Sequence, residues 1–172
     1  MRLFAAILLP PPVREVLSLA ADRVKRAALS GRFTGEKNWH LTLAFIGETQ
    51  RIAEARRAVC RAAVPPFSLA VEGWGAFRRG GEETVWAGVV PAPELIDLQG
   101  RVIRALREEG FRLDERPFRP HITVARQVRW SSAGGAVPPP RATMLVEAFS
   151  LMSSEREGGA PVYREVEQCL LM

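Results

Sequence analysis

The chain has 172 residues, 47% of them hydrophobic and 25% charged, and a formal net charge of +5. Such a composition fills one domain with a real core and excludes a disordered or low-complexity chain. The basic surplus fits an anionic partner such as RNA, although the arginines are dispersed along the chain rather than gathered in one block.

Residues 2–9 read as a buried strand, ended by Pro10, Pro11 and Pro12, which suit the first turn of a helix. Over 13–29, Val13, Val16, Leu17, Ala20, Val24 and Ala27 recur at helical spacing. Gly31 and Gly35 then mark a loop, and the apolar run 39–46 ending at Gly47 reads as a strand. A helix over 51–63 is closed by Pro65 and Pro66. Strands follow at 67–77 and 83–90 around an Arg-Arg-Gly-Gly turn, and a helix runs over 93–109 to Gly110. A short strand at 121–126, a Ser-, Gly- and Pro-rich loop at 131–141, and strands at 143–152 and 161–169 complete the chain. Neighbouring strands joined by short turns imply antiparallel pairing, so the expected class is α+β, with helices on the outer faces of antiparallel sheets.

The two cysteines, Cys60 and Cys169, stand far apart without a pairing or zinc motif, which favours free thiols in a reducing compartment. The N-terminal apolar run is too short for a signal peptide, and no later run is long enough to span a bilayer. A soluble, cytoplasmic protein is expected.

Only two histidines are present, in His40-Leu41-Thr42-Leu43 and His121-Ile122-Thr123-Val124, 81 residues apart. Both follow the pattern His, apolar, Thr, apolar. With six threonines in the chain, the chance of both histidines having Thr two positions on is roughly one in a thousand, the false-positive rate such a motif carries. The repeat at half the chain length points to an internal duplication. On a strand, residues i and i+2 share a face. His40 and Thr42 therefore point together, as do His121 and Thr123, while Leu41, Leu43, Ile122 and Val124 point into the core.

Two such strands side by side would present two imidazoles and two hydroxyls to one concave face. An imidazole titrates near neutrality, so one ring can take a proton while the other gives one. The hydroxyls can donate to phosphate oxygens. This is a device for cleaving a phosphodiester, and a 2′,3′-cyclic phosphate suits it because ring opening needs little else. A lone strand histidine is more often core packing, but two copies that use every histidine are not explained that way. A two-histidine zinc site lacks the further ligands it needs.

These residues resemble the two-histidine (2H) phosphoesterase superfamily, and within it the bacterial and archaeal RNA 2′,3′-cyclic phosphodiesterases, historically called 2′-5′ RNA ligases. The likeness extends nearly end to end. It rests on Arg2 to Ile7, on Asn38 to Gly47, on Arg116 to Arg126, and on Leu151 to Ser154 with Gly159 and Tyr163. Leu8 departs from the acidic residue common there.

The resemblance implies one domain over 1–172, built as two pseudo-symmetric lobes of antiparallel sheet with outer helices around a central cleft. It implies opening of the cyclic end to a 2′-phosphate, with His40 as proton donor, His121 as proton acceptor, and Thr42 and Thr123 as phosphate ligands. No metal or cofactor is implied. The residues themselves are symmetric with respect to acid and base.

Arg126 and Arg119 flank the second motif as further candidate phosphate ligands. Simple alternation puts Arg126 on the core side, from which it must escape at the strand end or by snorkelling. Phe45 is a candidate base-stacking platform, but alternation turns it inward and favours core packing. Trp39, Trp74, Trp86 and Trp130 fit core or rim roles. Weak reverse 2′-5′ ligation is compatible with the same chemistry. The alternatives are a non-catalytic RNA-end binding module, or a phosphodiesterase for small cyclic nucleotides or 2′,5′-oligoadenylates. A monomer is the default, with RNA as partner.

Overall fold

The structure, a computed structural model, describes residues 1–132 and 135–172. Nine strands and three α-helices occur among them: β1 (Arg2–Leu8), α1 (Pro11–Ala27), β2 (Ala28–Phe33), β3 (His40–Glu48), α2 (Ile52–Cys60), β4 (Phe67–Arg79), β5 (Glu82–Val89), α3 (Pro93–Glu108), β6 (His121–Trp130), β7 (Arg141–Val146), β8 (Ala148–Glu157) and β9 (Ala160–Leu170). Proline stands in the first turn of α1 and α3, where its missing N–H costs nothing. Helical spacing in α1 buries Val13, Leu17, Ala20, Ala21 and Val24, and in α3 Leu95, Leu98, Val102, Ala105 and Leu106.

The strands form two antiparallel sheets, a four-stranded one in the order β3-β1-β8-β9 and a five-stranded one in the order β2-β6-β5-β4-β7. Helix α1 packs against β2 and β7 of the second sheet, whereas α2 and α3 pack on each other, α2 against β8 and β9 and α3 against β3. This is the expected α+β architecture of two lobes with outer helices. The strands β3 and β6, from different sheets, come into contact with one another. Leu41, Leu43, Ile122 and Val124 are all buried in the main core, as alternation requires. Burying each leucine or isoleucine contributes about 2 kcal/mol, which anchors both strands.

Four local expectations change. Residues 28–33, expected as a helix end and loop, form β2. This edge strand is mostly exposed, so it carries no apolar alternation to betray it. The run 143–152 is two strands in different sheets, because the chain leaves β7 and enters β8 across Glu147 alone, with no Gly or Pro at the break. Strand β6 continues to Trp130, past the expected end at 126. In the expected loop at 131–141, residue 141 opens β7, and residues 133 and 134 lie outside the described residues.

Cys60 and Cys169 are not free thiols. They form a disulfide that ties the end of α2 to the end of β9, with their Cα atoms 5.0 Å apart. Their separation of 109 residues carries no trace of a contact that only the packing of α2 on β9 creates. The cysteines therefore no longer argue for a reducing compartment. Among the described residues, no helix is long and apolar enough to cross a membrane.

Candidate active site

His40 opens β3 and His121 opens β6. Each ring is fixed in the same way, by the main chain two residues upstream. The Nδ1 of His40 lies 2.7 Å from the carbonyl oxygen of Asn38, and that of His121 lies 2.6 Å from the carbonyl oxygen of Arg119. A carbonyl only accepts, so in both rings Nδ1 carries the proton and donates it. Each Nε2 is thereby left as the nitrogen that can exchange a proton, basic in the neutral ring and acidic in the imidazolium. Thr42 and Thr123 are half-buried on the same strand faces as the histidines.

Beyond each threonine the alternation fails, at the same place in both motifs. On β3, Thr42 pairs with Ala6 but Ala44 pairs with Ala5, so Leu43 is an extra residue. On β6, Thr123 pairs with Trp86 but Ala125 pairs with Val85, so Val124 is extra. Each is a β-bulge, which re-aims every side chain after it. Two consecutive residues are buried in each strand, Leu43 with Ala44 and Val124 with Ala125. The next residue then turns out to the histidine face. This corrects the inward orientations expected for Phe45 and Arg126. Phe45 is 58% exposed and Arg126 is exposed as well. Gln127, just after Arg126, has φ 54°, a conformation uncommon outside glycine that marks the distortion of β6 there.

Aromatic rings wall each histidine. The ring of His40 lies 4.9 Å from that of Phe4 and meets Tyr163 edge-on at 5.2 Å. The ring of His121 meets Phe77 edge-on at 5.2 Å and lies 5.6 Å from Trp86. Such contacts hold an imidazole's plane without competing for its nitrogens. Trp86 reaches His121 because Gly75, its partner on β4, has no side chain; a Cβ there would stand 2.0 Å from the indole. Phe4, Phe77, Trp86 and Tyr163 are site residues that motif reasoning misses, since each comes from a strand remote in sequence. The available signal was register: Trp86 is an aromatic in the hairpin strand that pairs with the second motif.

Arg119 lends its carbonyl to His121 and lays its guanidinium over Phe77, 5.7 Å from the ring centre. The other tryptophans stand apart. Trp39 is buried in the main core, Trp74 donates to the carbonyl of Pro138, and Trp130 donates to Glu83.

Burial is the main reason both imidazoles titrate below their ordinary value, and the accepting carbonyls partly offset it. Positive charge adds to the depression. Arg126 acts on both rings, His121 on His40, and Arg119 on His121. Arg126 thus lies within electrostatic reach of both histidines, and the two rings within reach of each other, so the motifs share one cationic cleft. Among the described residues, no group of three or more His, Cys, Asp or Glu side chains is placed to hold a metal ion.

Residues 10–158 match the family model of the 2′-5′ RNA ligase superfamily. The chain is 30% identical to an RNA 2′,3′-cyclic phosphodiesterase of Thermotoga maritima, over 98% of this chain and 95% of that protein. The apo crystal structure of Escherichia coli LigT superposes with a TM-score of 0.85 at 31% identity, covering 99% of this chain and 96% of that one. Its complex with 3′-AMP superposes with a TM-score of 0.82 at 32% identity, covering 99% and 97%.

Proposed function

The chain belongs to the 2′-5′ RNA ligase superfamily, and from that premise we propose that it hydrolyses RNA 2′,3′-cyclic phosphate ends to 2′-phosphomonoesters. The observation that carries this reading is the paired tautomer lock, which leaves Nε2 of each ring free to exchange a proton, in two rings that lie within electrostatic reach of Arg126 and share their strand faces with the two threonines.

In the proposed step, His121 Nε2 takes a proton from a water molecule as its oxygen attacks phosphorus. The bond from phosphorus to O3′ breaks, and His40 Nε2–H gives its proton to O3′. The 2′-phosphate remains on the ribose. Thr42, Thr123 and Arg126 hold the non-bridging oxygens, where charge builds in the transition state. The pocket is symmetric enough that the order of donor and acceptor rests on the family resemblance. Phe45 offers its exposed ring to the terminal base.

The reaction needs neither metal nor cofactor in this scheme, and the enzyme acts as a monomer on RNA ends. Weak 2′-5′ ligation is the same displacement with the 5′-hydroxyl of a second RNA end attacking phosphorus in place of water. Residues 1–172 form one domain whose lobes descend from an internal duplication, a reading supported by the matched motifs, carbonyl locks and bulges. A cytoplasmic location follows from an RNA substrate and gains nothing from the cysteines.

Replacing either histidine tests the scheme. His40→Ala and His121→Ala should each lower hydrolysis about a hundred- to ten-thousand-fold with the melting temperature nearly unchanged. The double variant should be little worse, because the pair acts as a unit. Near-normal turnover in either single variant would sink the mechanism.

A further inference from the structure

Arg32 lies directly opposite Arg126, on the edge strand β2 of the five-stranded sheet. Directly opposed residues of antiparallel strands share a face, with Cα atoms about 4.5–5.5 Å apart. The next pair in register, Phe33 with Ala125, faces the other way, into the core beneath α1 with Val24. Arg32 therefore shares the cleft face with Arg126 and lies on its outer side, away from β5. Both arginines are exposed, and neither is in an ion pair among the described residues.

Like charges directly opposed across a sheet are destabilising. Three arginines elsewhere in this sheet are paired with carboxylates of neighbouring strands, Arg78 with Glu83, Arg129 with Glu82 and Arg141 with Glu72. Among the described residues, Arg32 with Arg126 is the one exposed cross-strand pair made of two cations, and it is on the strand that carries His121. That placement calls for an anion with two separated charges.

The two arginines differ in place. Arg126 is on β6, the strand that His121 opens, whereas Arg32 is one strand further out, on the edge strand β2. A single phosphate at the histidines thus meets Arg126 on the His121 strand first, with Arg32 standing one strand beyond it. On an RNA strand, the next anion after the terminal cyclic phosphate is the phosphodiester on the 5′ side of the terminal nucleoside. A guanidinium binds a phosphodiester with paired N–H donors.

We propose that Arg32 binds this penultimate phosphate, forming with Arg126 a two-phosphate clamp that selects an RNA end over a free cyclic mononucleotide. The inference rests on the proposed hydrolysis at the two histidines and adds a second contact outside the reacting group. Arg32 touches no reacting atom, so it acts on binding and alignment of the strand.

The test compares three substrates: a nucleoside 2′,3′-cyclic phosphate, the same compound with a 5′-phosphate, and a dinucleotide with a cyclic end. Arg32→Ala and Arg32→Gln should lower kcat/KM on the dinucleotide and on the 5′-phosphorylated compound about tenfold more than on the plain cyclic nucleoside. Both variants change an exposed edge position, and thermal melting checks that they fold. A loss restricted to the dinucleotide would overturn the phosphate contact, because it would point to the next nucleoside instead. An equal loss on all three, or no loss, would overturn it too. Equilibrium binding of the dinucleotide 2′-phosphate needs no turnover and separates this inference from the hydrolytic scheme. If wild-type protein hydrolysed nothing, about tenfold weaker binding by the variants would still support the Arg32 contact, and unchanged binding would refute it.

Discussion

Phe45 and Arg126 occupy equivalent places in the two lobes, each five residues beyond its histidine and each turned into the cleft by one extra residue in its strand. One lobe thereby offers an aromatic face and the other a cation, an asymmetry that the proposed nucleotide substrate would match. The division suits a nucleotide, whose base is flat and uncharged and whose phosphate is anionic.

Phe45→Ala should therefore weaken substrate binding more than it slows the chemistry. Base stacking is worth about 1–3 kcal/mol per base by alanine substitution, so KM on a cyclic-ended dinucleotide should rise about tenfold while kcat changes little. Phe45→Trp should restore KM. Steady-state kinetics on the three proteins decide this. A fall in kcat at constant KM would mean that Phe45 supports the fold of β3 rather than the base.

The pH profile follows from the depressed imidazoles. The acceptor must be neutral and the donor protonated, so kcat/KM should trace a bell. Burial and Arg126 push both rings below the ordinary value of 6.5, and the bell of the free enzyme should be centred on the acid side of that value. Arg126→Gln removes a positive neighbour from both rings. Imidazolium becomes less unfavourable, both titrations rise, and the weaker remaining activity should peak at higher pH. A profile unmoved or shifted to lower pH in this variant would show that Arg126 does not act on the histidines.

Much of this was legible in the sequence because the motif residues obey local rules. Leu41, Leu43, Ile122 and Val124 are buried by strand alternation, and the prolines and apolar spacing of α1 and α3 announce those helices. Alternation stops informing at Leu43 and Val124, since a bulge is a property of two paired strands and the pairing is not written in either one. Phe45 and Arg126 are for that reason misjudged by counting alone. The aromatic walls of Phe4, Tyr163, Phe77 and Trp86 depend on the same long-range register. Strand β2 is hidden for a different reason, having an exposed edge with no apolar period.

The Cys60–Cys169 bond spans 109 residues. Closing a long loop of this kind stabilises a fold by about 2–4 kcal/mol, or about 10 °C in melting temperature for a chain of this size. Reductant, or Cys60→Ser with Cys169→Ala, should lower the melting temperature by that amount. Activity at moderate temperature should persist, because neither sulfur belongs to the cleft. A melting temperature indifferent to both treatments would show that the bond does not stabilise the protein in solution.

The proposed reaction is hydrolysis of a cyclic end by two histidines without a metal. Its most direct test is incubation of a short RNA bearing a 2′,3′-cyclic phosphate with the protein in excess EDTA, with the phosphate of the product located by mass spectrometry and an end-specific phosphatase. Complete conversion to the 2′-phosphate is expected, undiminished by the chelator and absent on an otherwise identical RNA ending in a 3′-hydroxyl. Loss of activity in EDTA with recovery on added zinc, or a product carrying a 3′-phosphate, would contradict it.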